Sequence, residues 1–137
     1  MRKTKFLPPY TKAGKTTFPH TLNKSGVYVI QEDAKIVYVG YSGKNLYRTM
    51  YRHFQVWNHR GQDVVTYVNS LHRKKYTVRV VLCTVKQADA LEKGLIMKHR
   101  PRDNENKYSL FKSDLYHAAT IEKYEEIPVS ELIIPDF

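Results

Sequence analysis

A chain of 137 residues, 42% of them apolar, is long enough for one folded domain and excludes a chain that is disordered by composition. The formal net charge of +10 indicates a polyanionic partner, most often a nucleic acid. No apolar run reaches the ~18 residues of a membrane-spanning helix, and the basic N-terminus lacks the apolar stretch of a secretory signal. The single Cys83 excludes an internal disulfide and agrees with a reducing compartment, so we expect a cytoplasmic protein without a membrane partner.

Residues 1–24 are predicted to form an irregular basic arm. The segment holds six lysines and arginines and no acidic residue. Its prolines and Gly14 interrupt any helix or strand pattern. We expect its cations to follow the backbone of a nucleic acid, a kind of contact that contributes affinity but no sequence specificity.

Two apolar runs joined by a polar turn come next. Residues 26–31 and 35–41 are rich in β-branched and aromatic side chains, which predicts two β-strands. The connection between them is too short for a crossover, so we expect the strands to form an antiparallel hairpin.

The hairpin carries two tyrosines that we expect to share one face. Because side chains alternate along a strand, the valines of each strand also share a face: Val27 and Val29, then Val37 and Val39. If these valines are buried together, Tyr28 and Tyr38 point to the opposite side, and a turn centred on Asp33 sets them directly across from each other. The pattern alone leaves two interpretations open, an aromatic packing pair and a pair of phenols in a phosphate-binding or catalytic pocket.

The rest of the pattern predicts two helices and a third strand. Apolar side chains at helical spacing predict a helix over residues 44–58, and a second helix over 86–101 is stopped by its proline. Between them, β-branched residues predict a strand over 76–83, while 64–71 fits no single element. The order strand, strand, helix, strand, helix predicts a small α/β (α+β) fold, with a three-stranded antiparallel or mixed sheet flanked by helices.

Several segments together resemble the GIY-YIG nuclease family. Gly26-Val27-Tyr28, followed ten residues later by Tyr38-Val39-Gly40, is similar to the pair of tripeptides that names the family. The stretch GYSGKNLYRTMYRHF resembles the family's turn and first helix, and ALEKGLIMKHRPRDN resembles the segment with its metal-binding glutamate and later asparagine. In excision-repair nucleases of this family those two residues are twelve positions apart, as Glu92 and Asn104 are here.

The resemblance covers roughly residues 25–106 and divides the chain into three parts. It implies a GIY-YIG-like nuclease domain over 25–108, preceded by the arm of residues 1–24. A C-terminal extension over 109–137 is expected to pack on this domain. The implied activity is that of a metal-dependent endonuclease that hydrolyses DNA phosphodiester bonds and leaves 5′-phosphate and 3′-hydroxyl ends, with RNA left open as a substrate.

The resemblance also implies a role for each residue of the site. Glu92 is expected to bind one divalent ion, Mg²⁺ or Mn²⁺. Tyr28 is similar to the family's general base, and Tyr38 is expected to position water or phosphate. His53 is expected to assist the tyrosine or to contact phosphate, and Asn104 to orient the catalytic groups.

The first helix departs from the family pattern at one position. The family usually has an arginine one turn before the residue that corresponds to His53, and this chain has Thr49 there. Arg48 and Arg52 are the nearest arginines, about 140° and about 100° around an ideal helix from His53. We expect one of them to reach the phosphate in place of the family arginine, and Arg48 is favoured.

Other basic residues are candidates for contacts with the nucleic-acid backbone: Lys44, Arg60, Arg73, Lys74 and Lys75. A separate recognition domain does not fit within 137 residues, so we expect specificity from the arm, from loops, from a homodimer or from a partner protein. Two alternatives to catalysis stay open. One is a catalytically impaired nucleic-acid-binding module of the same fold, and the other is a protein-interaction domain that uses the acidic residues 122–137.

Overall fold

The computed structural model describes residues 2–55 and 65–104, which form one antiparallel sheet with a helix on each face. The strands are β1 (Arg2–Lys3), β2 (Gly26–Glu32), β3 (Lys35–Ser42) and β4 (Tyr76–Leu82). They lie in the order β1-β4-β2-β3, so β2 is central and β3 is an edge. The predicted fold class is confirmed, and the sheet has one strand more than the three that were predicted.

Two α-helices, α1 (Leu46–Tyr51) and α2 (Val85–His99), follow the hairpin and β4 as predicted. Three short 3₁₀ helices complete the described elements: Pro19–Thr21, Val68–Ser70 and Arg102–Asn104. Helix α2 begins at the capping box of Thr84 and Gln87 and ends at Arg100, which adopts a left-handed conformation just before a proline.

Helix α1 is shorter than the helix predicted for residues 44–58. After Tyr51 the chain tightens, because the amide of His53 donates to the carbonyl of Met50 at 3.2 Å and that of Phe54 to the carbonyl of Tyr51 at 3.0 Å. This tight turn directs the imidazole of His53 into the protein, where it is buried. Residues 56–58 of the prediction lie outside the described residues.

The sheet separates two apolar clusters. Val27 and Val29 pack with α2 residues such as Leu91 and Leu95 on one side. Tyr28 and Ile30 pack on the other side with the buried residues of α1. The predicted separation of the valines of β2 from its tyrosine is therefore confirmed, and the tyrosine side lies beneath α1.

A β-bulge in the hairpin changes the predicted pairing of the second strand. The two-residue turn has positive φ at Asp33 and Ala34, and it pairs Glu32 with Lys35. The register then shifts by one residue between Ile30 and Gln31. The extra residue is Val37, which packs with the Tyr28 cluster, so the prediction that Val37 and Val39 share a face was wrong.

The bulge also corrects the predicted position of the two tyrosines. Tyr28 lies opposite Gly40, and Tyr38 lies opposite Ile30, so the tyrosines are diagonal neighbours on one face and not directly across from each other. A Cβ at Gly40 would collide with the ring and hydroxyl of Tyr28. Glycine at this position therefore gives the Tyr28 ring the space that it occupies.

The N-terminal arm is not irregular throughout, as had been predicted. Arg2 and Lys3 pair with β4, and Leu7 forms a bridge with Val78. Further along, the Tyr51 hydroxyl donates to the carbonyl of Pro9 at 2.7 Å and accepts from the amide of Phe18 at 3.1 Å. The arm thus adds an edge strand to the sheet and is fastened to α1, while the predicted three-part division of the chain stays a prediction.

Across residues 2–55 and 65–104, every helix is too short or too polar to cross a lipid bilayer. The predicted C-terminal extension, residues 109–137, lies outside the described residues, as does the acidic stretch within it.

We predict that Gly40→Ala lowers the free energy of unfolding by about 1–3 kcal/mol, because the new methyl group forces the Tyr28 ring out of its place. Urea denaturation at neutral pH measures the change. Gly43→Ala is the matched control, since its Cβ would meet only the Val85 side chain, at 3.3 Å, and should cost less than about 0.5 kcal/mol. Equal stabilities of the two variants would contradict the close packing of Tyr28 on Gly40.

Candidate active site

Tyr28 lies at the centre of the candidate site. It is the third residue of the central strand β2, and its side chain is 1% exposed. Burial raises the pKa of its phenol well above the usual value, and the neighbouring Tyr38 and Glu92 raise it further. At neutral pH, Tyr28 is therefore a protonated phenol that can donate one hydrogen bond.

That hydrogen bond goes to His53, and its direction can be assigned. Nδ1 of His53 lies 2.6 Å from the carbonyl oxygen of Val65, which accepts only, so Nδ1 carries a proton. Burial lowers the pKa of His53 to about 4, so the ring is neutral and Nε2 has a free lone pair. The Tyr28 hydroxyl, 2.7 Å from Nε2, therefore donates to His53.

Tyr38 completes a cluster of three rings. Its ring centroid is 6.0 Å from that of Tyr28 and 4.6 Å from that of His53. Burial raises the pKa of Tyr38 to about 12, the charge of Glu92 adds to this effect, and a hydrogen bond with Tyr28 opposes it.

Glu92 is a buried carboxylate that acts on the two phenols. It lies on α2, which packs mainly against the edge strand β3, and it is 1% exposed. Its negative charge raises the pKa of both phenols, which means that all three groups share one electrostatic environment. Tyr28, Tyr38 and His53 therefore form one buried cluster of rings, and the charge of the buried Glu92 acts on both of its phenols.

Asn104 supports this site through the backbone of β3. Its Oδ1 accepts from the amide of Val39 at 2.8 Å, and its Nδ2 donates to the carbonyl of Val39 at 2.9 Å. The side chain thus pairs with the free edge of β3 as a neighbouring strand would, at the residue between Tyr38 and Gly40. These two bonds use both ends of the amide, so Asn104 is a positioning residue.

Comparison with known proteins identifies the family of this chain. The family model described as the GIY-YIG catalytic domain matches residues 24–109. The chain belongs to the GIY-YIG family. This membership confirms the predicted family and the prediction of a GIY-YIG-type nuclease domain, and the order of strands and helices agrees with it.

Two similar proteins are UvrC nucleases or their domains. The UvrABC system protein C of Thermosipho africanus is 30% identical over 90 residues, which are 66% of this chain and 15% of that protein. The GIY-YIG N-terminal endonuclease domain of UvrC from Thermotoga maritima, a point mutant bound to its catalytic divalent cation, has a TM-score of 0.47 and 22% identity. That alignment covers 61% of this chain and 86% of the domain.

The two candidate arginines of α1 lie in different environments. Arg48 is exposed and lines a groove on the outer side of the helix. Arg52 is half-buried, and its charge contributes to the lowered pKa of His53, after the larger effect of burial. Thr49, at the position where the GIY-YIG family usually has arginine, bonds through its hydroxyl to the carbonyl of Asn45 at 3.2 Å.

The predicted nucleic-acid contacts form two separate groups. Lys44 is exposed between β3 and α1. Arg73, Lys74 and Lys75 are exposed before β4, beside the hairpin turn, where Lys74 lies 3.5 Å from Asp33. Since β2 runs between these two ends over seven residues, or roughly 20 Å, the two groups lie at opposite ends of the site. Arg60 lies outside the described residues.

The donor atoms of the site fit a divalent ion with hard ligands. Across residues 2–55 and 65–104, no three histidine, cysteine or acidic side chains converge as an all-protein metal cage would require. Glu92 is a buried carboxylate, and its charge acts on two phenols of the site. Mg²⁺ and Mn²⁺ suit such a set, because they prefer oxygen ligands and Mg²⁺ commonly keeps several waters.

Three groups that hold His53 were not predicted. The carbonyl of Val65 fixes its tautomer, and the amide of Tyr67 donates to the His53 carbonyl at 2.7 Å. The Tyr67 hydroxyl in turn donates to Asp103 at 2.7 Å. Val65 and Tyr67 fall in the segment 64–71, where the sequence fits no single element, and a backbone carbonyl leaves no pattern. Asp103 lies directly before the predicted Asn104, and this position was the one feature of the sequence that could have indicated its role in the site.

We predict that His53 makes the stability of the protein depend on pH between about 4 and 6.5. The pKa of the buried ring is about 4, below the ordinary value of 6.5, so the unfolded chain binds the proton first as pH falls. The stabilisation is complete above about pH 6.5 and is lost toward pH 4, with a full size on the order of 3 kcal/mol. Chemical denaturation at several pH values measures it in the wild type and in His53→Gln, which should have a flatter profile.

The matched control for this pH profile is His72→Gln, because His72 is exposed. It should keep the slope of the wild type. A His53→Gln profile as steep as that of the wild type would contradict a neutral, buried His53.

We predict that Asn104→Ala lowers the free energy of unfolding by about 2–3 kcal/mol, because the amide and carbonyl of Val39 lose their partners. Urea denaturation measures the loss. Asn69→Ala, which truncates an exposed amide, is the control and should change stability by less than about 0.5 kcal/mol. Equal stabilities would mean that Asn104 does not hold the edge of β3.

Proposed function

We propose that this chain is a metal-dependent endonuclease that hydrolyses phosphodiester bonds in DNA by tyrosine-assisted attack of water. The observation that supports this most directly is the 2.7 Å hydrogen bond from the Tyr28 hydroxyl to Nε2 of a neutral, buried His53. A phenol held in this way accepts a proton on its oxygen while it passes its own proton to the imidazole. It therefore acts as a base without first becoming a free phenolate.

This relay answers the main physical objection to a tyrosine base. An ordinary phenol has a pKa near 10, and burial and Glu92 raise the pKa of Tyr28 further. A free Tyr28 phenolate would therefore be scarce at neutral pH. Transfer of the proton to His53 keeps the charge of the tyrosine close to zero, and the Val65 carbonyl stabilises the protonated imidazole.

In the proposed reaction, the oxygen of water forms a bond to phosphorus and the bond from phosphorus to the 3′-oxygen breaks. The proton of the water goes to the Tyr28 oxygen, the Tyr28 proton goes to Nε2 of His53, and the leaving oxygen takes a proton from solvent. Tyr38, whose hydroxyl adjoins that of Tyr28, orients the water or the phosphate. The products would carry 5′-phosphate and 3′-hydroxyl ends.

A divalent ion, Mg²⁺ or Mn²⁺, held by Glu92 would neutralise charge on the phosphate and reverse the local field that raises the pKa of the two phenols. Of the two arginines, we assign Arg52 to the phosphate, because its charge already acts on His53. Asn104 keeps Tyr38 and Gly40 in place through Val39. Lys44 and the Arg73–Lys75 group would contact the DNA backbone at the two ends of the site.

We predict that purified protein cuts duplex DNA with Mg²⁺ or Mn²⁺, and that Tyr28→Phe and Glu92→Gln each lower the rate at least about 100-fold. Gel assays of plasmid and labelled duplex measure cleavage, and a parallel RNA substrate tests the nucleic acid. Tyr10→Phe, which removes the hydroxyl of an arm tyrosine, is the control and should cut at the rate of the wild type. Equal cleavage by the wild type and Glu92→Gln would defeat the proposal.

Thr49 favours a second candidate, a catalytically impaired nucleic-acid-binding module of the same fold. The position that usually has arginine holds a short side chain bonded to the backbone of its own helix. Thr49→Arg distinguishes the two. If the wild type binds DNA without cutting it and Thr49→Arg cuts, the module is the correct assignment, whereas metal-dependent cutting by the wild type excludes it.

The chain spans 15% of the length of the UvrABC system protein C that it resembles. We propose that a partner protein or a second copy of this chain contributes to target selection, in addition to the arm and loops.

A further inference from the structure

A groove of about 360 Å³ lies along α1. Most of its lining residues come from α1 and the turn that follows it, and one wall is Leu22 from the arm. The volume lies at the lower end of the ~300–1,000 Å³ that ligand pockets usually have. Of the groups assigned to the chemistry, Arg52 lines the groove, while Tyr28, Tyr38, His53 and Glu92 do not.

The groove is positively charged. Arg48 and Arg52 line it, and residues four apart on a helix are neighbours on one face. The other described residues that line the groove are neutral. Within the described part of the chain, the guanidinium of Arg48 has neither a hydrogen bond nor an ion pair. This charge is available to an anionic ligand.

The groove also has an apolar side that is held in place. Leu22 is 52% exposed beside the ring of Tyr47. The Tyr47 hydroxyl donates to Thr16 of the arm at 3.2 Å, and Asn45 accepts from the amide of Asn23 at 3.2 Å. These bonds between arm and helix fix the two walls relative to each other. A flat apolar group can rest against them while its charged part meets the arginines.

We propose that this groove binds one nucleotide of the DNA strand next to the bond that is cut, with the phosphate on Arg48 and the base against Leu22 and Tyr47. Side chains that pair with phosphate beside a ring that stacks on a base are the usual elements of strand binding. The inference rests on the proposed function for the identity of the polymer. Arg52 lines the groove and its charge acts on the buried His53, so a strand in the groove continues toward the catalytic cluster.

This subsite depends on residues that precede the matched catalytic domain. The family match begins at residue 24, and Leu22, Thr16 and Asn23 come before it. The arm would therefore give this chain a strand-binding wall in addition to the catalytic domain. It would also explain why the arm is fastened to α1 by Tyr51 and Tyr47.

The test measures DNA binding without divalent ions, so that cleavage plays no part. The full chain is titrated into a fluorescein-labelled DNA duplex with a single-stranded extension, and anisotropy is recorded at several KCl concentrations. Arg48→Gln should weaken binding about 5-fold at 0.1 M salt and reduce the salt slope by about 0.9. Lys98→Gln, which removes an exposed cation at the end of α2, should change the affinity less than about 2-fold.

A second pair of variants tests the apolar wall. Leu22→Glu places a carboxylate beside Arg48 and should weaken binding about 10-fold. Leu7→Glu adds the same charge at another exposed leucine of the arm and should have a smaller effect, of about 2-fold. Unchanged affinity in both Arg48→Gln and Leu22→Glu would overturn the groove assignment, as would equal losses in Leu22→Glu and Leu7→Glu.

The two proposals fail in different ways. In one outcome the wild type does not cut DNA, while Arg48→Gln and Leu22→Glu weaken binding and their controls do not. The groove assignment is then supported and the nuclease proposal is wrong. If the wild type cuts DNA and all four variants bind as the wild type does, the groove assignment falls and the nuclease proposal stands.

Discussion

The site depends on one buried hydrogen bond, from the phenol of Tyr28 to the imidazole of His53. The direction of this hydrogen bond follows from the other ring nitrogen of His53, because Nδ1 donates its proton to the carbonyl of Val65. Because burial makes the charged imidazole unfavourable, the folded protein holds a neutral donor–acceptor pair and no ion pair. A pair of this kind is polar enough to move a proton, and it avoids the cost of a buried, uncompensated charge.

The β-bulge is what brings the second tyrosine to this pair. The two-residue turn pairs Glu32 with Lys35, and a regular ladder from there would set Tyr28 opposite Val39 and turn Tyr38 toward α2. A shift of one residue reverses the faces of a strand, so the bulge at Val37 returns Tyr38 to the side of Tyr28. The same shift places Gly40 beneath the Tyr28 ring. Asn104 then holds the bulged edge strand from outside, on the edge where none of the described strands pairs with it.

The sequence predicted which rings come together better than how they are arranged. Tyr28, Tyr38, His53 and Glu92 were singled out because a resemblance in short motifs added to strand alternation and helix spacing. The bulge was missed because the alternation of apolar residues over 35–41 fits an unbroken strand equally well. Likewise, β1 was missed because two basic residues pair through their backbone alone, and the support from Val65 is a carbonyl. Contacts made by the backbone depend on the fold and not on the side chain, so they leave little pattern in the sequence.

Electrostatics explains why the position of the arginines matters in this chain. Two phenols and a carboxylate share the buried cluster, and each negative charge there raises the pKa of its neighbours. The entry of a phosphate would add to this repulsion unless positive charge entered with it. With threonine at position 49, that charge has to come from an ion at Glu92 and from an arginine at the rim. Arg52 adjoins both His53 and the outer groove, so one side chain links the catalytic cluster to the surface along which a strand would lie.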